Sequence, residues 1–293
     1  MGEIKIKANK ITLISALAAA VLSACGGGGD AMIVSIVPPV PVVVTPPSMV
    51  MNVPDATYAM DSEEAKAFAL LNAERSHCGF GKLAQNFKLD QAAKAHANWL
   101  ITNNYRGHYE SPDVQNGFTG VTSNDRALAA GYVPGLSEVT ETIFSIVGPS
   151  DSSKSGLKSV RSLLAAPYHT FGMMSPYRDV GISVQSAGDK AWDRAVYNYN
   201  FGTQGNMQLI ERNAVLTYPC QGTVGTNYEL LEESPNPVPG RNLITNPLGH
   251  PVLVMVRFGQ KLEISSSRMM KVATGAQVAM RTPITAENDP NNT

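Results

Sequence analysis

Cysteine is scarce in this chain. Only Cys25, Cys78 and Cys220 occur in 293 residues, so neither a disulfide-dense scaffold nor a four-thiolate metal site can be built from them. Charge is thin too: 16% of residues are Asp, Glu, Lys or Arg and the formal net charge is -1. The basic residues are scattered and form no stripe, so nucleic acid is not an expected partner. The apolar run from Ile11 to Leu22 is about a dozen residues, too short to span a bilayer. There is no Gly-x-Ser-x-Gly nucleophile elbow, no His-Glu-x-x-His zinc motif and no visible internal repeat, which removes two familiar routes to hydrolysis.

What is present begins with an export signal. Lys5, Lys7 and Lys10 precede the Ile11–Leu22 run, and Leu22-Ser23-Ala24-Cys25 closes it with small residues, so residues 1–24 read as a signal peptide. The closing motif resembles a bacterial lipobox, in which the thiol of Cys25 becomes the lipidation site and the protein's link to the membrane. Gly26 follows where an Asp would suggest retention at the inner membrane, so in a Gram-negative envelope the outer membrane is the expected address. Gly26–Gly29 and the Pro-rich stretch Pro38–Pro47 then read as a tether over residues 25–60. In an exported protein the two remaining cysteines, Cys78 and Cys220, are most simply a disulfide.

The body of the chain reads as α+β. Asp61 with Glu64 three residues on is a capping signal for a first helix bearing Ala65, Phe68, Leu70 and Leu71 and ending near Cys78-Gly79. Leu89 and Asp90 open a second helix through Leu100, whose His96 reads as a packed, hydrogen-bonded core residue; His77 and His250 are read the same way. A short helix at Asp125–Ala130 stops at Gly131. Glu138 and Glu141 fall in LSEVTETIF, a strand or a short helix. A helix over Leu157–Ala165 is expected to end before Pro167, leaving His169 on the turn beyond. Strands are expected at Gly181–Gln185, Ala195–Phe201 and Ala214–Tyr218. Helices first and several strands after is an α+β order rather than a parallel βαβ chain. Residues 223–250 read as a Pro-rich connector. Residues 251–293 read as a short β-rich segment with strands at Pro251–Phe258, Lys261–Ser266 and Gln277–Arg281, resembling the start of an immunoglobulin-like module but too short for its roughly seven strands.

Residues 61–222 resemble the CAP superfamily of cysteine-rich secretory, antigen-five and pathogenesis-related proteins (the SCP domain), in its bacterial form. The resemblance is carried by LLNAERSHCGFGKLAQNFKLDQAAKAHANWL from Leu70, GHYESPD from Gly107, DRALAAGY ending at Tyr132, SEV around Glu138, APYHTFGMMSP around His169 and YRDVGISV ending at Val184. It implies an α-β-α sandwich with a central antiparallel sheet and a large open cleft. It also implies that His108, Glu138 and His169 line that cleft, with Glu141 the alternative if the register is shifted. Two imidazoles and a carboxylate suit zinc or another divalent cation. The chain departs from eukaryotic members in one respect: the segment Gly148–Pro167, where a second cleft glutamate is expected, offers only Asp151. Two functions follow as expectations: a lipid-tethered envelope protein binding a cation or an extracellular lipid, glycan or peptide ligand, or a hydrolase working in the same cleft.

Overall fold

The structure, a computed structural model, describes residues 5–7, 49–148, 155–188 and 193–289. Cys25, with the lipid attachment expected there, and the tether up to residue 48 lie outside the described residues. Within the stretch read as the export signal, β1 (Lys5–Lys7) pairs antiparallel with a strand near the C-terminus, Lys261–Glu263.

Among the described residues five helices build the outer layers. α1 (Glu63–His77) is capped by the Ser62 side chain, which accepts from the Ala65 amide. The expected cap, Asp61, instead has φ 62° and turns the chain into the helix. α2 (Phe87–Thr102) starts two residues earlier than Leu89 because the Asn86 side chain accepts from the Lys88 and Leu89 amides. α3 (Ser123–Ala129) carries a reciprocal capping box between Thr122 and Asp125, and Gly131 follows it at φ 81°. α4 (Gly156–Leu163) ends at Leu164, before Pro167 is reached.

Pro167 then begins a helix instead of ending one. α5 runs Pro167–Met174, so His169 lies in its first turn and not on a free turn. At the first helical position the missing N–H and the fixed φ of proline cost nothing. Arg75 fixes the far end of this helix: fully buried, it donates to the carbonyls of Met173 (2.5 Å) and Ser175 (3.0 Å) and to that of Gly81 (2.8 Å). Burial holds its guanidinium pKa down at about 9.

The central sheet contains β2 (Ala84–Gln85), β3 (Thr140–Gly148), β4 (Asp179–Gly188) and β5 (Asp193–Gly202), in the order β2-β4-β5-β3. The long strands are antiparallel, with Thr142 and Ile182 both opposite Tyr199, while β2 joins β4 in parallel. The sheet is therefore mixed rather than wholly antiparallel. Alternation on β5 sorts its faces: Ala195, Tyr197, Tyr199 and Phe201 pack with Leu71 of α1, Val160 of α4 and Met173 of α5, whereas Val196 packs with Ala97 and Trp99 of α2. Gly181 permits the α2 layer to sit this close, because a Cβ there would lie 2.1 Å from the Leu89 carbonyl carbon. On the α2 face Val196 is followed by Asn198 and Asn200, both fully buried. Polar residues on a buried face need partners, and Asn198 finds its partner in the site.

The C-terminal part wraps onto this body. β6 (Leu216–Tyr218) pairs with β9 (Leu253–Met255), and β7 (Glu229–Leu230) with β8 (Leu248–Gly249). β10 (Lys261–Glu263), β11 (Met269–Met270) and β12 (Gln277–Val278) are equally short, so the longer strands expected from Pro251 onward shrink to two or three residues each. The stretch read as a connector is partly buried: Leu230 and Leu243 pack with Ala166, just before α5. A disulfide joins Cys78 to Cys220, tying the end of α1 to the chain beyond β6 across a separation of 142 residues. Among the described residues no helix is long and apolar enough to cross a membrane.

Candidate functional site

The site forms where the loop after α2, the start of β3 and the first turn of α5 meet. Its glutamate is Glu141, not Glu138. Glu138 lies exposed ahead of β3, and its side chain makes no hydrogen bond or ion pair with the described residues. The strand begins at Thr140, and its register sets Glu141 opposite Asn200, on the face that packs toward α2. The glutamate the strand delivers lies three positions beyond the expected one.

Glu141 is held on every side. Its Oε1 lies 3.1 Å from His108 Nδ1, Arg126 Nη2 donates to both carboxylate oxygens at 3.0 Å, and Asn198 Nδ2 donates to Oε2 at 2.8 Å. The same Arg126 nitrogen donates to the His108 carbonyl at 3.0 Å, so one guanidinium positions both the acid and the histidine loop. Burial works against the Glu141 charge, but the His108 hydrogen bond and the nearby His96 and Arg126 outweigh it and hold the carboxyl down at about 2. With side-chain exposures of 0% and 2%, Arg126 and Glu141 form a buried pair in which each neutralises the other.

His96 supports this loop from beneath. Fully buried on α2, it places Nδ1 3.0 Å from Glu110 Oε1 and Nε2 3.2 Å from the Gly107 carbonyl. Glu110 Oε2 also accepts from the Thr119 amide at 2.7 Å. Burial opposes the Glu110 charge, yet the His96 and Thr119 hydrogen bonds win and lower its carboxyl below the usual range. His96 thus has the packed, hydrogen-bonded role read from the sequence.

His169 approaches from the other side. Its ring centroid lies 6.2 Å from that of His108, with 37° between the planes. Its Nδ1 is 3.2 Å from Glu233 Oε1, a carboxylate from the connector with no exposed side-chain surface. Both histidines therefore have a carboxylate behind Nδ1. The Oε1 of Glu141 is already accepting from Arg126, and that of Glu233 from backbone amides, so each Nδ1 must be the donor and, in the neutral ring, Nε2 carries the lone pair. Neither Nε2 has a hydrogen-bonding partner among the described residues.

Two such imidazoles, oriented by carboxylates at the second nitrogen, are of the kind that could hold a metal ion. Tetrahedral zinc with Zn–N near 2.0–2.1 Å would bring two ring centroids to about 5 Å, so the observed 6.2 Å needs about 1 Å of closure. The fit is to two ligands, not three. Glu141 is consumed by Arg126, Asn198 and His108, and among the described residues no three His, Cys, Asp or Glu side chains form a metal cage. Other ligand positions would fall to water or to a bound molecule. A separate groove of about 480 Å³ lies between residues 53–56 and α1, lined by Val53, Phe68, Asn72 and His77 among others, and shares no residue with this site.

Of the residues expected at the site, the structure brings His108 and His169 together and leaves Glu138 outside. Glu141 had been named as the alternative. Glu110 and Arg126 lay inside quoted motifs but carried no signal of a role. Glu233 had no signal at all, being an acid in a Pro-rich stretch 64 residues from His169.

Residues 68–204 match the family model described as CAP, the cysteine-rich secretory protein family. Two solved structures are similar to the chain in part. An extracellular SCP-domain protein from Bacillus anthracis str. Ames is 20% identical, with a TM-score of 0.38 over 48% of this chain and 40% of its own. An outer surface protein from Borrelia burgdorferi is 17% identical, with a TM-score of 0.37 over 47% of this chain and 89% of its own. The chain thus spans two fifths of the Bacillus protein's length. No curated protein matches it.

Proposed function

We propose that this is an exported, lipid-anchored envelope protein whose CAP-domain cleft binds a divalent cation, zinc being the best match, through His108 and His169. The observation that carries the reading is the pair of imidazoles with Nδ1 held by Glu141 and Glu233 and Nε2 left without a partner among the described residues. When bound, the cation would offer open positions to an oxygen or nitrogen donor of an extracellular ligand. The chain's own residues do the rest: Arg126 and Glu141 hold the His108 loop, and Glu233 holds His169. Export and anchoring rest on the signal and the Cys25 motif in the sequence.

Calorimetric titration of the mature protein with zinc tests this reading. Binding with one ion per chain, lost in both His108→Ala and His169→Ala, is expected. No binding to wild type, or undiminished binding to both variants, would remove the cation from the proposal.

A further inference from the structure

The carboxylate behind His169 comes from outside the sandwich. Glu233 follows β7 in the stretch that the sequence presents as a linker, yet its side chain has no exposed surface. Its Oε1 accepts from three donors: the Tyr168 amide at 2.8 Å, the His169 amide at 3.2 Å and His169 Nδ1 at 3.2 Å. α5 has no cap of its own, since its N-cap is Ala166 and no side chain there accepts a hydrogen bond. Pro167 contributes no N–H, so Tyr168 and His169 present the first backbone amides of the helix, and both are met by Glu233. The other oxygen, Oε2, is buried and has no hydrogen-bond partner among the described residues.

We infer that Glu233 is a positioning residue for the cleft and that the connector carrying it is a working part of the site. A remote carboxylate caps α5 and, through the same oxygen, sets the tautomer of His169, leaving its Nε2 as the unprotonated nitrogen. Leu230 and Leu243 on Ala166 hold the connector against that turn. Seating of the connector and occupation of His169 Nε2 are therefore linked. A ligand on Nε2 favours the seated connector, and an unseated connector releases the tautomer that the ligand needs.

This inference rests on the binding reading above only for its zinc arm. The imidazole nitrogens of His169 can be followed by long-range ¹H–¹⁵N spectra of the zinc-free mature protein. Wild type is expected to show the Nδ1–H tautomer, and Glu233→Ala to move His169 toward Nε2–H while His108 stays unchanged. Glu233→Gln, whose amide oxygen can still accept from the three donors, is expected to keep the Nδ1–H form. In zinc titrations, Glu233→Ala is expected to weaken binding about tenfold or more, Glu233→Gln to keep most of it, and the exposed neighbour variant Glu232→Ala to change nothing. An Nε2–H tautomer in wild type, or the same tautomer in wild type and Glu233→Ala, would overturn the inference. If Glu233→Ala does not fold, an Nε2–H tautomer of His169 in Glu233→Gln does so instead. Wild type that fails to bind zinc while showing the Glu233-dependent tautomer would sink the cation reading and leave the positioning role intact.

Discussion

Replacing Glu141 by Gln tests the buried network directly. The amide keeps the shape of the carboxylate but removes the charge facing Arg126 and His108, with Arg126 fully enclosed. The Glu141 carboxyl is held at about 2, against an ordinary value near 4.5. A depressed carboxylate pKa contributes stability that is complete above the unfolded value and is lost as pH falls toward the folded one. The difference corresponds to about 3 kcal/mol at neutral pH, with about 2 kcal/mol of it gone by pH 3. Glu141→Gln should therefore be about 3 kcal/mol less stable than wild type at pH 7, in keeping with the cost of breaking a buried pair. The gap should narrow steadily between pH 5 and pH 3. Urea unfolding followed by tryptophan fluorescence across that range measures it, with Glu138→Gln as a control expected within about 0.5 kcal/mol of wild type. Parallel pH profiles for wild type and Glu141→Gln, or an equal loss in Glu138→Gln, would refute the assignment of the site glutamate.

Opening the Cys78–Cys220 bridge by a double Ser substitution should cost up to about 5 kcal/mol on the chain-entropy estimate for a 142-residue loop, read from the shift in thermal midpoint. Gly181→Ala should destabilise by about 3 kcal/mol, because the new methyl meets Leu89 backbone 2.1 Å away, whereas Gly205→Ala, with nothing within 4 Å, should be near neutral in the same assay. Cys25→Ser should abolish palmitate labelling and membrane association of the expressed precursor; unchanged labelling would dismiss the anchor.

Local chemistry made much of the helical layer legible: Gly131 past α3 and the apolar side of α2 sat where the caps and periodicity suggested, whereas the Thr122–Asp125 capping box that starts α3 two residues before the expected Asp125 was not read. The alternation on β5 was equally plain, since one face is aromatic and the other carries asparagines. Pro167 misled because the same residue can stop one helix or begin the next, and only the short α4 leaves room for the second outcome. Glu138 and Glu141 differ in where β3 begins, the first falling ahead of the strand and the second within it, which the sequence does not write down. Arg126 and Glu233 were illegible for a deeper reason. Their roles are set by partners 15 and 64 residues away, and a lone charged residue in a helix or a Pro-rich stretch looks solvated until the fold closes over it.

The disulfide also divides the cleft by chain connectivity. His108, Glu141 and His169 all lie between Cys78 and Cys220, so one proteolytic nick anywhere in that span leaves two fragments still covalently joined and migrating together until a reductant is added. Glu233 lies beyond the bridge. A single cut in the few residues after Cys220 frees the segment that backs His169 from any covalent hold. To a protease the two halves of this site are unequal, and only one of them can be trimmed away.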